Sequence, residues 1–214
     1  ADGADITFAD GGDVDVTTGF VTSNQGYDVV INSATFDASG DTNFLNTGSV
    51  RLGNGAGDVL TFAGGLATTG NVSNPSSVSV GGTIQTTNTQ MDLGAVTLLA
   101  TTTLDTGNGA AGVLNVGAVS SGGFGLTLDA GSTSGATVNV TSFANGSGGL
   151  TIRDAGGLVT IGDVGSGGAG ALTVSNSQGG VTFSGNVDAT TLTLSDTADG
   201  ADITFADGGD VDVT

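Results

Sequence analysis

The second half of the chain repeats a three-letter word in which two apolar residues flank a threonine. It reads Leu126-Thr127-Leu128, Leu150-Thr151-Ile152, Leu172-Thr173-Val174 and Leu192-Thr193-Leu194, at steps of 24, 22 and 20 residues. Each is followed by a second word: Val138-Asn139-Val140, Val159-Thr160-Ile161, Val181-Thr182-Phe183 and Ile203-Thr204-Phe205. A third apolar point comes at Phe143, Val164, Val187 and Val211. Alternation of this kind is a strand pattern, with the outer pair turned to one side and the middle Thr or Asn to the other. One turn of the pattern thus predicts three short strands separated by Gly, Asn, Ser and Asp.

Three inward-facing segments per turn cannot bury themselves alone. Stacking each turn on the last gives a continuous apolar interior and pairs every strand with its neighbours. The fold class predicted is all-β, a right-handed parallel β-helix (β-solenoid), the hand following from the preference of parallel crossovers. Varying turn length fits, because added residues bulge from corners without disturbing strand register. The phase extends backwards through Leu114-Asn115-Val116 with Val119, and through Thr103-Leu104. Earlier first strands are expected at Ile84, at Val59-Leu60-Thr61-Phe62 and at Val29-Val30-Ile31, with a longer loop or an irregular coil within 18–58.

Residues 1–17, ADGADITFADGGDVDVT, recur letter for letter as residues 198–214. Such an identity marks re-entry into a repeat. Residues 1–197 are therefore one module of about eight coils, roughly 40 Å long at the ~4.8 Å strand spacing, and 198–214 begin the next copy. The expected partners are further copies of the same repeat, end to end.

Composition agrees with strands and turns and narrows the function. There are 41 Gly and a single proline, Pro75, and all 21 acids are Asp, with Arg51 and Arg153 the only cations. The net charge of −19 argues against a nucleic-acid partner, since phosphate binding relies on clustered Lys and Arg. No run approaches the eighteen or so apolar residues of a membrane span. Without Cys, stability has to come from packing and backbone hydrogen bonds.

The phrases Gly148-Gly149-Leu150-Thr151-Ile152, Gly179-Gly180-Val181-Thr182-Phe183 and Gly185-Asn186-Val187, Gly-rich in a chain free of Lys, carry a resemblance. They resemble the β-helical repeats of filamentous-haemagglutinin-like and autotransporter-type adhesins of giant bacterial surface proteins. The resemblance implies secretion, an extracellular location on the bacterial cell surface, and a stalk or adhesive fibre.

Candidate chemistry is sparse. No enzyme is expected, because without His, Lys, Cys or Glu only Asp, Tyr27 and two Arg remain for acid–base work. The pairs Asp13 with Asp15, and Asp210 with Asp212, are same-face carboxylates at strand spacing, read more simply as solvated edge residues. Asp2, Asp5, Asp10, Asp13 and Asp15 crowd into fifteen residues and offer the hard oxygens that Ca²⁺ takes, so they are the candidate metal ligands. No cofactor is required on this reading; Ca²⁺ is the one candidate, against diffuse counter-cations on an acidic surface. Thr127, Thr151, Thr173 and Thr193 should form one outward column, and Thr160, Thr182 and Thr204 a second. Two parallel threonine ranks on one face would suit ice; plain β-propensity accounts for a single rank. Arg153 should stack one coil from Asp129. The function expected is a structural fibre repeat. Its rival is an adhesive or Ca²⁺-binding module contacting cell-surface glycans or neighbouring fibres.

Overall fold

The computed structural model describes residues 4–214 except 145, 169, 196, 197 and 199. Within them the chain is all β, with twenty-one strands joined only by parallel pairing. The strands stack on three faces. The third face, met first by the chain, runs from Ile6 through Val29, Val50, Val78, Val96, Val119, Phe143, Val164 and Val187 to Val211. The first face runs from Val14 through Phe36, Leu60, Ile84, Leu104, Leu128, Ile152 and Val174 to Leu194. On the second face, Thr42, Leu66, Met91, Leu114, Val138, Val159, Val181 and Ile203 follow one another. The repeated words are thus rungs of a β-solenoid of about nine turns.

Several strands pass round a corner without a break. Leu114–Ser120 leaves the second face and enters the third with Gly117 at the bend, and Val138–Ala144 and Val159–Ser166 do the same one and two coils on. Ser77–Gln85 turns from the third face to the first at Gly81 and Gly82. Gly82 has φ +83°, and a Cβ there would lie 2.4 Å from the Asp58 carbonyl oxygen, so only glycine fits this corner. Larger insertions bulge between faces, as at 68–76 and 130–137, and leave the flanking register intact.

Inside, each rung packs on the rung beneath. In the first three coils the filling is aromatic: Phe36 lies 5.3 Å from Phe8 and 5.5 Å from Phe62, centroid to centroid, and Phe20 and Phe44 complete the cluster. Phe8 and Phe20 meet Phe36 edge-on, and such contacts stabilise beyond the area they bury. Further along, Leu, Val and Ile take over. Leu126, Leu128, Leu150, Ile152, Leu172 and Val174 are buried in one ridge, whereas Leu192 and Leu194, in the last complete coil, are half-buried.

One sequence expectation needs correction: Val29–Ile31 lies on the third face, and the first-face rung of that coil is Phe36. Of the longer loop or irregular coil expected within 18–58, the loop is found, since only a bridge at Val21 interrupts 17–28; Thr35–Ala38 and Thr42–Asn43 complete a regular second turn, and Ser49–Leu52 opens the third. The corner between them is held by a buried polar cluster. Thr22 Oγ1 accepts from the Leu45 and Asn46 amides at 2.6 and 3.0 Å, and Asn46 Nδ2 donates to the Tyr27 and Ser49 carbonyls at 3.1 and 3.2 Å. These bonds satisfy the backbone polar groups that the long corner would otherwise bury unpaired.

Candidate functional site

The sequence candidates fall on the outer surface of the first coils. Asp13 and Asp15 point outward from Asp13–Val16, and the next coil brings Asp37 in register with Asp15. Carboxylate oxygens of Asp13, Asp15 and Asp37 lie within 4.8 Å of one another, all three residues exposed. Asp13 also accepts a hydrogen bond from Thr35 Oγ1. Asp5 and Asp10 are exposed and outside this group, and Asp2 lies outside the described residues. The trio offers hard oxygen ligands, of the kind Ca²⁺ takes, from two coils. Asp37 was not singled out in the sequence. Only the register of Phe36 over Val14 reveals it.

The other carboxylate pair, Asp210 and Asp212, is on a different face. Asp212 stands over Asp188 on the third face, and the Asp210 amide donates to Asn186 Oδ1 at 2.9 Å. Many remaining aspartates serve turns. Asp58 accepts from the amides of Asn54 and Gly55 at 2.8 and 2.9 Å, Asp28 from Ser49 at 2.6 Å, Asp105 from Gly107 at 2.7 Å, and Asp163 from Asn186 at 2.8 Å. A short acidic side chain that caps a loop amide is what a chain of tight corners needs.

Two side-chain ladders run along the solenoid. On the first face, Thr83, Thr103, Thr127, Thr151, Thr173 and Thr193 form one outward column, and beside it stand Gln85, Asp105, Asp129 and Asp154. The face therefore carries one threonine rank next to an acidic one. On the second face, Thr160, Thr182 and Thr204 continue a column that runs from Asn43 and Ala67 through Asp92, Asn115 and Asn139. Asn139 Nδ2 donates to Asn115 Oδ1 at 2.8 Å, and Asn115 Nδ2 donates to Asp92 Oδ1 at 2.6 Å. The two asparagines that break the threonine column thus make an amide ladder of their own. The sequence signal was the recurrence of Asn at the middle of two consecutive second words.

The densest electrostatic feature is the stack of Asp105, Asp129 and Asp154, which face one another in consecutive coils. Arg153 sits in an irregularity of the register beside Asp154, and its Nη1 lies 3.0 Å from Asp129 Oδ2. Burial pushes the Asp129 carboxyl above its ordinary value. The Gly131 amide opposes the shift, the charges of Asp105 and Asp154 add to it, and Arg153 opposes it.

No protein-family profile, curated protein or solved structure matches this chain. The surface just described, with its acidic trio, its amide and threonine ladders and its single ion pair among the described residues, has to be read on its own chemistry.

Proposed function

We propose that the chain is a structural repeat of a long extracellular bacterial fibre or surface stalk, a β-solenoid filament that spans distance and presents surface. One observation carries the reading: residues 6–8 and 203–205, which are identical, form identical strands of one unbroken solenoid, so the unit closes as it opens. A fold whose every rung is a template for the next gains length without new design. Supporting it, the acidic surface has almost no cation to attract a neighbour, which keeps such rods apart in solution. The cell-surface location follows from the resemblance of the Gly-rich words to bacterial adhesin repeats.

The second reading is an adhesive or Ca²⁺-binding module acting on glycans or neighbouring fibres, and the Asp13, Asp15 and Asp37 group is the observation that favours it. Electron microscopy of chains carrying one, two and three units tests the fibre. Rods should lengthen by about 40 Å per unit, from the ~4.8 Å rung spacing. Globules, or particles whose length does not grow with unit number, would refute the proposal.

A further inference from the structure

The two copies of the seventeen-residue segment share a conformation but stand on different faces. Ile6–Phe8 is a third-face strand, paired with Val29–Ile31. Its copy, Ile203–Phe205, is a second-face strand, paired with Val181–Phe183. Val14 is on the first face and its copy Val211 on the third. The turn between the strands is nonetheless the same. Gly11 and Gly208 have φ +71° and +90°, and the amides of Gly12 and Gly209 each donate to a carbonyl three residues back, Ala9 and Ala206, at 3.3 Å.

Eight full coils separate Ile6 from Val187 on the third face, and Ile203 lies two faces further on. The unit therefore holds eight and two-thirds coils. We infer that Ile203–Phe205 and Val211–Val213 are the first rungs of a following 197-residue unit, that their free edge is the docking surface for the second coil of that unit, and that the unit sits one third of a turn round the axis from the one before it. This rests on the tandem-fibre reading above and adds its geometry.

The occupant of the edge is already visible within the chain. Ile6–Phe8 carries Val29–Ile31 in register, and Asp13–Val16 carries Thr35–Ala38. Because Ile203–Phe205 and Val211–Val213 are the same residues in the same conformation, the sequence of residues 29–38 is the segment that fits on them. Aromatic packing agrees. Phe8 is half-buried against Phe20 and Phe36, at 5.8 and 5.3 Å. Phe205 stacks on Phe183 below at 4.9 Å, which leaves its upper side as the one on which a copy of Phe36 would pack.

The consequence is a surface that repeats on three sides. Arg51 projects from the third face of its unit, so successive units display it on the second and then the first. Three units make about 26 coils, ~125 Å at the ~4.8 Å spacing, before the same face returns. A neighbouring fibre would meet each surface feature from any side.

Cysteine pairs in the full chain test the phase, since the chain has no Cys of its own. Outward residues one rung apart are within disulfide reach. T182C/T204C should oxidise to an intrachain disulfide, as should the control T7C/V30C, and D188C/T204C should not. Oxidation of D188C/T204C with T182C/T204C left reduced would overturn the one-third turn. In a two-unit chain, residues 1–197 followed by 1–214, electron microscopy should show one straight rod of doubled length. Two rods hinged at the junction would overturn the docking surface. A straight rod with the D188C/T204C disulfide would keep the tandem fibre and reject only the rotation, whereas absence of any rod would reject the fibre itself.

Discussion

Arg153 Nη1 lies 3.0 Å from Asp129 Oδ2 in the coil before it, and the arginine is the one positive group set into a column of three carboxylates. The arginine is half exposed and the aspartate mostly covered, so the pair does not offset all that burial costs the carboxylate.

From this follows a pH dependence with a defined sign. The folded pKa of Asp129 is raised from 3.8, so the folded chain keeps this proton over a window in which the unfolded chain has released it. Its contribution to stability is greatest below that ordinary value and is lost as pH rises to the raised folded value. Asp129→Asn keeps an acceptor for the Gly131 amide and removes the buried charge. The variant should melt above the parent at pH 7, with the gap closing as pH falls below 4 in a pH series of thermal melts. A variant less stable than the parent at pH 7 would show that the Arg153 pair outweighs burial.

Core truncation should depend on position along the axis. Leu128 is fully buried on the first face, and Leu194, on the same column, is half-buried in the last complete coil. Leu128→Ala should cost ~2–5 kcal/mol in urea unfolding, and Leu194→Ala roughly 1 kcal/mol or less. Equal losses would mean that Leu194 is as well covered as Leu128.

The corner cluster of Thr22 and Asn46 makes a sharper demand. Asn46 is fully buried and its amide group bonds at both ends, so Asn46→Ala leaves the Tyr27 and Ser49 carbonyls without that donor. We expect a loss of ~2–3 kcal/mol, together with faster amide exchange confined to the first three coils. Exchange that speeds up evenly along the solenoid would contradict a local role.

Ca²⁺ should separate the two functional readings. On the fibre reading the acidic trio attracts counter-cations without selecting one, and heats of CaCl₂ addition should fade in 0.15 M NaCl, where charges are screened beyond ~8 Å. A saturating one-to-one isotherm that survives salt and is lost in Asp37→Asn would establish a discrete site and favour the module reading.

How far the fold could be read depended on how completely each coil used its apolar letters. From Leu114 onward, every first-face and second-face rung has two apolar residues around a polar one, and the words fell into place. In the second coil the second-face rung is Thr42, buried although polar, with Asn43 beside it, so the pattern lapses where the structure does not. Val29–Ile31 looked like a first-face word because the third-face rungs from Val119 to Val164, where the repeat is clearest, offer only a single apolar letter to compare it with. The acidic trio was half legible. Asp13 and Asp15 are neighbours in sequence, but Asp37 joins them through coil register, which depends on corner lengths that periodicity does not fix.

The stacking direction of the rungs also decides how such a rod answers tension. Backbone hydrogen bonds between coils run along the axis, so a pull on the two ends loads every rung in series, and the outermost coil yields first. Unspooling one coil, such as the 23 residues from Ile6 to Val29, releases about 70 Å of extended chain in exchange for ~4.8 Å of rod. A stalk built this way is a reel, giving slack one coil at a time under shear while the coils behind it stay wound.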